Sequence, residues 1–192
     1  YFPAHKIYIE PFFGAGGMFF NKRKAKYNIV NDYDNDVFNL FNVVMHRKED
    51  FIEAFIKMPV HEGLLRHWKQ NKETDEILKA LRFIFLSNFT YMGAGASMCF
   101  GTENPKGIIL KNIDATQKYL ENVQFANRDF KSFFEQLRER NSYDTFIYCD
   151  PPYLNTLDNY SNSFTEKDAF DLFEMLDNSG CKFAISEFDN DF

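Results

Sequence analysis

Cysteine is scarce in this sequence, and long apolar runs are missing from it. Only three cysteines occur among the 192 residues, and Cys99, Cys149 and Cys181 form no CxxC pair. The scarcity excludes a framework of paired cysteines and predicts reduced thiols in a cytoplasmic protein, with no metal site. The sequence also has no secretory leader and no apolar run of about 20 residues, so we expect no membrane-spanning segment.

Basic residues are outnumbered by acidic ones, 22 to 28, which gives a net charge of −6. Such a balance by itself disfavours a nucleic-acid partner. The acidic residues are concentrated at one end: residues 150–192 hold ten acids and two lysines, which leaves 20 basic and 18 acidic residues in 1–149. Short basic runs at 22–26 and 47–48 could therefore still contact phosphates, although such runs are more often simply solvated surface.

Aromatic residues, in contrast, are abundant, with 24 Phe and 10 Tyr, and 45% of all residues are hydrophobic. This composition predicts a globular core and argues against disorder. Most of the rings are expected to fill that core, and some could stack on flat ligands such as bases.

Strand and helix patterns alternate towards both ends of the sequence. Strand-like runs stand at 6–10, 26–30, 123–126, 145–149 and 181–185, and helical spacing separates most of them. Residues 145–149 are apolar without alternation, which is typical of a strand buried in a parallel sheet. The alternation predicts an α/β fold with a doubly wound, mostly parallel sheet of the Rossmann-like kind.

The middle of the chain has helical spacing and no strand pattern typical of a sheet centre. One predicted helix is marked by Val37, Leu40, Phe41, Val44 and Met45. Thr74 is expected to cap a second helix at 74–87, and turn signals at 91–96 and 104–107 predict one hairpin or loop. We therefore predict a discontinuous core of residues 1–45 and 123–192, interrupted by a mainly helical insertion at 46–122.

Chemically distinctive residues follow three of the predicted strands, where ligands bind in a parallel sheet. A glycine-rich turn at 14–17 follows the first strand and lets the backbone approach a ligand closely. Asp32 ends the second strand, and an acid there can accept the ribose hydroxyls of a nucleoside cofactor. Taken alone, the turn also fits a tight strand-to-helix connection, and Asp32 also fits a surface or capping residue.

The third feature is Asp150-Pro151-Pro152-Tyr153, directly after the buried strand. Because proline fixes its backbone angle φ, the carboxylate and the proline carbonyls hold fixed directions. Both are acceptors, and together they can take the two hydrogens of an exocyclic amino group. The Tyr153 ring offers a face on which the base that carries that group can stack. A purely rigid turn is the weaker interpretation.

These stretches resemble, in the same order along nearly the whole chain, the motifs of the DNA adenine methylase family. Its members transfer a methyl group from S-adenosylmethionine to the adenine amino nitrogen. Residues 10–16 resemble the family's methionine-binding motif, and 31–35 its ribose-binding motif. Residues 127–130 resemble a short motif whose Asp contacts the cofactor adenine, 150–153 the catalytic motif, and 159–165 the segment that follows it. The family also places its DNA-recognition domain where the helical insertion is predicted.

The resemblance implies roles for three groups of residues. The cofactor would be bound by Glu10, Pro11, Phe12, Gly14, Ala15, Gly16, Asp32, Asp129 and Phe130. The catalytic group would be Asp150, Pro151, Pro152 and Tyr153. Contacts to double-stranded DNA would come from Asn88, Thr90, Tyr91, Met92 and Lys106. The implied activity is site-specific methylation of adenine N6 on a flipped-out base, in a bacterial cell or a phage-infected host. The methylase could act with a restriction endonuclease as its partner or as an orphan enzyme.

Three departures from the family pattern accompany this resemblance. In the family, a Gly-Gly-Lys motif precedes the first strand, and further strands follow the region of Ser186. This sequence contains neither, so we expect flanking structure beyond both ends. Residues 93–107 contain Lys106 and no Arg, whereas members that read GATC usually carry an Arg there, so a GATC target is not indicated.

Other functions remain open from the sequence. Methylation of RNA or of a cytosine amino group would use similar local chemistry, and a DNA-binding relative without catalysis is a second alternative. A nucleotide-binding oxidoreductase is disfavoured, because Phe19 stands where the dinucleotide fingerprint requires Gly or Ala.

Overall fold

The computed structural model describes residues 2–93, 95–101, 104–137, 142–153 and 164–187. The chain divides into two compact units, one formed by Tyr1–Asn35 with Asn122–Phe192 and the other by Asp36–Glu121. The sequence predicts the start of the insertion at residue 46, and the helix Asn35–His46 lies almost wholly in the second compact unit.

The first unit contains a five-stranded sheet in the order β3-β2-β1-β4-β5, and every pair in it is parallel. This arrangement confirms the predicted doubly wound α/β fold. The strands are β1 (Ile7–Glu10), β2 (Tyr27–Asn31), β3 (Val123–Ala126), β4 (Thr145–Cys149) and β5 (Lys182–Ile185). Because β1 pairs with both β2 and β4, the residues that follow these three strands emerge at the same edge of the sheet.

The described residues also form helices in both units. They are α1 (Gly17–Phe20), α2 (Asn35–His46), α3 (Lys48–Lys57), α4 (Glu62–Gln70), α5 (Glu76–Phe89), α6 (Pro105–Leu120), α7 (Phe130–Gln136) and α8 (Glu166–Ser179). None of them is long and apolar enough to cross a bilayer.

Apolar residues from the sheet centre pack against α7 and α8 to form one core of the first unit. Its buried members are Ile9, Phe130, Phe133, Ile147, Cys149, Leu172 and Leu176. Each fully buried aliphatic side chain of this kind contributes roughly 1.5–3 kcal/mol. The start of α8 is set by a reciprocal cap, in which the Thr165 hydroxyl accepts from the Asp168 N–H and the Asp168 carboxylate accepts from the Thr165 N–H. Both partners of this capping box lie within four residues, in the Thr-x-x-Asp pattern that marks a helix start.

Aromatic rings dominate the core of the second unit. Phe51 and Phe55 of α3 stack with ring centroids 5.4 Å apart, and Trp68 of α4 meets Phe85 of α5 edge-on at 5.2 Å. The helical character predicted for this region is therefore correct, and these four rings are structural.

Two details predicted for the second unit are wrong. The cap of α5 is Asp75 and not Thr74, because the Asp75 carboxylate accepts the Leu78 N–H at 3.0 Å. Residues 104–107 are not a turn within a hairpin: Asn104 caps α6, its side chain accepts the Gly107 N–H at 3.0 Å, and Pro105 is the first helical residue. Asn-Pro suits both a turn and a helix start, and the 16-residue helix that follows decided between them.

Candidate active site

The glycine turn after β1 has a backbone that other residues adopt only at a cost. Gly14 has φ of 51° and Gly16 has φ of 73°, both in the left-handed region. A Cβ at Gly16 would lie 2.6 Å from the Phe20 ring, whereas one at Gly14 would meet nothing within 4 Å. Gly16 is therefore required by packing and by φ, and Gly14 leaves open space beside the turn.

Asp32, at the end of β2, holds this turn directly. Its Oδ2 accepts the Gly14 N–H at 2.6 Å, and its Oδ1 accepts the Asp34 N–H at 2.8 Å. Burial raises the pKa of the Asp32 carboxyl above its ordinary value, and the N–H donors oppose that rise. Two sequence-predicted features, separated by 18 residues, are thus joined by one hydrogen bond.

Asn31 connects the same turn to the loop after β3. The residue is 1% exposed, and its amide nitrogen donates to the carbonyls of Pro11 and Arg128, each at 2.9 Å. Its amide oxygen accepts the Arg128 N–H at 3.0 Å. Asn127 adds a parallel link by donating to the Asp32 carbonyl at 2.8 Å. The segments after β1, β2 and β3 are therefore held together by side-chain amides.

Asp129 and Phe130 follow at the start of α7. The Asp129 side chain is exposed and accepts the Lys131 N–H at 3.0 Å, so it caps the helix. Phe130 is buried, and its ring centroid lies 5.5 Å from that of Phe12. The Phe12 and Phe130 rings thus bring the turn after β1 close to the start of α7.

Glu10, the last residue of β1, is a buried acid. It is 2% exposed, and its Oε2 accepts a hydrogen bond from the Tyr8 hydroxyl at 2.7 Å. Burial raises the pKa of Glu10 to about 8, against the opposing effects of Tyr8 and of the Lys22 charge. Lys22 lies 3.7 Å from the centre of the Tyr8 ring, and burial lowers its pKa to about 8. The charges of Asp150 and Asp32 also raise the pKa of Glu10, which places all three acids within electrostatic reach.

Asp150 is exposed at the end of β4, next to the turn after β1 in the sheet order. Pro151 is buried and Pro152 half-buried, so the segment that carries the carboxylate is anchored. The Tyr153 hydroxyl donates to Asp150 Oδ1 at 3.1 Å. Burial raises the pKa of the neighbouring Cys149 thiol, which keeps it protonated and unreactive.

The residues predicted to contact DNA lie in the second unit. Thr90 is buried, and its hydroxyl donates to the Leu86 carbonyl at 2.6 Å and accepts the Gly95 N–H at 2.8 Å. Thr90 also pairs with Met98 in an antiparallel bridge. Lys106 donates to the Ile56 carbonyl at 3.2 Å and to that of Met58. Both side chains therefore stabilise the unit itself.

The other predicted contacts differ in their surroundings. Tyr91 is 62% exposed, and Asn88 is exposed with its amide donating to the Ile84 carbonyl at 3.0 Å. The Met92 side chain and most of the 159–165 motif lie outside the described residues.

Sequence reasoning missed two residues that contact predicted site residues. Tyr8 bonds Glu10, and Ser186 donates to Asp150 Oδ1. A signal for Ser186 was present, because a polar residue directly after a strand of a parallel sheet lies at the ligand-binding edge. The signal for Tyr8 was its place two residues before Glu10, on the same face of β1.

Comparison with known proteins identifies the family of the chain. The model of the D12 class N6 adenine-specific DNA methyltransferase family matches residues 1–192. A DNA adenine methylase of Serratia marcescens is 31% identical over 185 residues, which cover 86% of this chain and 67% of the relative. That of Escherichia coli (strain K12) is 26% identical, over 91% of this chain and 68% of the relative. The Type II methyltransferase M.MjaIII of Methanocaldococcus jannaschii is 28% identical, over 94% and 73%. Because the family model matches residues 1–192, the chain belongs to the D12 class of N6 adenine-specific DNA methyltransferases.

Proposed function

We propose that the chain transfers the methyl group of S-adenosylmethionine to N6 of an adenine that has swung out of double-stranded DNA. The observation that carries the proposal is the sheet order. It sets the exposed Asp150 carboxylate after β4 beside the glycine turn after β1, which is itself bonded to Asp32 after β2. A methyl donor bound at the glycine turn and an adenine amino group bound at Asp150 would meet at this edge of the sheet.

The residues around the glycine turn fit the methyl donor. Gly14 leaves open space beside the backbone, and the Asp32 carboxylate retains lone pairs for ribose hydroxyls after it accepts two N–H groups. The exposed Asp129 carboxylate is an acceptor for the cofactor's adenine amino group. The remaining members of the proposed cofactor site are Glu10, Pro11, Phe12, Ala15, Gly16 and Phe130. S-adenosylmethionine, when bound, supplies an activated methyl group on a sulfonium.

Asp150 and the Pro151 carbonyl would activate the target nitrogen. The lone pair of the adenine amino group is delocalised into the purine ring, which makes it a poor nucleophile. If the two acceptors each take one N–H, the nitrogen is favoured in a tetrahedral geometry, and its lone pair is free to attack the methyl carbon in line. The C–S bond would break as the N–C bond forms, so that S-adenosylhomocysteine leaves as a neutral thioether. The surplus proton on the nitrogen would pass to solvent by way of the Asp150 carboxylate. No covalent intermediate on the protein is needed, which is consistent with the buried Cys149 thiol.

The target adenine must leave the helix to reach these acceptors. In a duplex its amino group is paired and stacked, and extruding the base costs a few kcal/mol. Tyr153 and Pro152 would line the pocket for the extruded base, with the half-buried Tyr153 ring stacking on it. The Tyr153 hydroxyl, already bonded to Asp150, would fix the angle at which the ring is held.

The second unit is proposed to bind DNA. Asn88 and the exposed Tyr91 are its most accessible predicted contacts, and Thr90 and Lys106 would act by shaping the segment that carries them. A contact from Met92 remains a prediction. A cytoplasmic setting and a restriction endonuclease as a partner also remain predictions.

The test is methyl transfer by the purified protein with labelled S-adenosylmethionine and genomic DNA, followed by sequencing that maps modified adenines. We expect label on adenine N6 at a defined sequence. We expect Asp150→Ala to abolish transfer while the affinity for S-adenosylmethionine changes less than about twofold, because Asp150 contacts the target base and not the cofactor.

RNA and cytosine-containing competitors complete this experiment. Preferential labelling of RNA or of cytosine would contradict the proposed substrate, and binding of DNA without any transfer would identify a non-catalytic relative. An Asp150→Ala variant that transfers label at a comparable rate would remove Asp150 from the mechanism.

A further inference from the structure

The two carboxylate oxygens of Asp150 have unequal surroundings. Oδ1 accepts hydrogen bonds from the Tyr153 hydroxyl, at 3.1 Å, and from the Ser186 hydroxyl. Across the described part of the chain, no hydrogen bond to Oδ2 is found. The exposed carboxylate therefore presents one oxygen to the protein and keeps the other available.

Ser186 reaches this position through the register of the sheet. β4 and β5 are parallel with Cys149 opposite Ile185, so the next residues along, Asp150 and Ser186, are brought side by side. The Ser186 N–H donates to the Cys149 carbonyl at 2.9 Å and fixes the backbone there. The Tyr148 hydroxyl lies 3.4 Å from Ser186 Oγ, as a donor to it.

A hydrogen bond at Oδ1 has a specific consequence for an exposed aspartate. Rotation about the last side-chain bond of Asp is broad, so an unrestrained carboxylate samples many orientations. Two donors on one oxygen select one orientation of the carboxylate plane. The Ser186 hydroxyl also lies 3.5 Å from the Cys149 carbonyl, but the backbone N–H already donates to that carbonyl at 2.9 Å, and the contact of the hydroxyl with Asp150 Oδ1 is the shorter one. The hydroxyl is therefore not needed to pair the strand with β4.

We propose that Ser186 is a positioning residue, which orients Asp150 so that Oδ2 is the atom that accepts the adenine amino hydrogen. The inference rests on the proposed role of Asp150 in methyl transfer. It deepens that role by naming the accepting atom and the hydroxyl that selects it. Ser186 acts through Asp150 and makes no contact with the reacting atoms.

The experiment measures single-turnover and steady-state methyl transfer by Ser186→Ala in the full chain. We expect kcat to fall by roughly ten- to hundredfold, because a catalytic group that is misplaced by a fraction of an ångström loses rate steeply. The Kd for S-adenosylmethionine and the Tm should stay at their wild-type values, since the backbone bond is kept. Ser186→Thr retains a hydroxyl and should recover most of the lost kcat.

Ser142→Ala is the matched control. Ser142 is a half-buried serine just before the amino end of β4, at the opposite end of the strand from Asp150. Ser142→Ala should keep the wild-type kcat, which would show that loss of a serine hydroxyl in this unit does not by itself slow methyl transfer.

Asp150→Ala, measured in parallel, separates failure of this inference from failure of the proposed function. If Asp150→Ala is inactive and Ser186→Ala turns over at the wild-type rate, the positioning role is wrong and the role of Asp150 stands. A Ser186→Ala variant with a lowered Tm or weakened cofactor binding would indicate a structural role instead. A Ser186→Thr variant as slow as Ser186→Ala would likewise overturn the assignment to the hydroxyl.

Discussion

Asp32 illustrates how one carboxylate can serve both the fold and a ligand. Its oxygens accept two backbone N–H groups, from Gly14 and Asp34, and these bonds shape the turn that would face the methyl donor. Charge-assisted hydrogen bonds of this kind are stronger than neutral ones. Burial raises the pKa of the Asp32 carboxyl, and the N–H donors around it oppose that rise by favouring the charged form.

Asp32→Ala is expected to weaken binding of S-adenosylmethionine at least tenfold. The reason is the loss of an ionised acceptor, worth about 1.5–3 kcal/mol per hydrogen bond, together with a less restrained Gly14. Isothermal titration of the purified protein with the cofactor measures the change.

Asp32→Asn is the matched control, because it keeps one acceptor oxygen and removes the charge. It should fall between the wild type and Asp32→Ala in affinity. An unchanged Kd for Asp32→Ala would rule out the ribose-binding role.

At the scale of elements, the connection from β1 to α1 is the most constrained part of the site. Three glycines in four residues, Gly14, Gly16 and Gly17, lie between the strand and a helix of only four residues. Their requirements differ: Gly16 combines a positive φ with a crowded Cβ direction, Gly14 has the positive φ alone, and Gly17 has neither. Alanine substitutions at these three positions therefore separate the cost of a positive φ from the cost of a crowded Cβ.

Gly16→Ala is expected to be the most damaging alanine substitution in this turn. A left-handed φ costs a residue with a side chain about 1–3 kcal/mol, and the contact with the Phe20 ring adds to that. Urea unfolding should report the lowest midpoint for Gly16→Ala and an intermediate one for Gly14→Ala. Gly17→Ala, the control, should stay within about 0.5 kcal/mol of wild type. Equal midpoints for Gly16→Ala and Gly17→Ala would contradict this account of the turn.

On the scale of the whole molecule, protonation of Glu10 makes the free energy of unfolding depend on pH. Glu10 is buried with its pKa raised from 4.5 to about 8, so between these values the folded protein holds a proton that the unfolded chain has released. The free energy of unfolding therefore contains a contribution that is complete below pH 4.5 and is lost as the pH rises towards 8. Lys22, whose pKa is lowered from 10.5 to about 8, acts with the opposite sign and above this window.

Glu10→Gln should remove this pH dependence. Glutamine mimics the protonated acid and can still accept from the Tyr8 hydroxyl, so its stability relative to wild type should increase steadily from pH 5 to pH 8. Urea unfolding at several pH values measures the difference. Glu135→Gln, which removes an exposed carboxyl from α7, controls for the change in net charge. Parallel profiles for wild type and Glu10→Gln would mean that Glu10 is ionised in the folded protein across the window.

The sequence by itself determined the architecture of the first unit and the family that the chain resembles. Strands of four or five apolar and β-prone residues, separated by helical spacing, are local signals, and the order of the motifs along the chain is independent of packing. The capping pair Thr165 and Asp168 could be predicted for the same reason, since both partners lie within one turn. Where local signals were ambiguous, as at Thr74 and Asn104, the prediction was wrong by one residue or by a whole helix start.

Only the tertiary structure decided which side chains of the site hold one another. The bonds from Asn31 to Pro11 and Arg128, from Asp32 to Gly14, and from Ser186 to Asp150 join residues 18 to 97 positions apart. Their partners are set by strand order and register, which depend on how the whole sheet buries its apolar faces. The burial that raises the pKa of Glu10 has the same origin, because the spacing in the sequence puts Tyr8 beside Glu10 but does not show that the sheet encloses the acid.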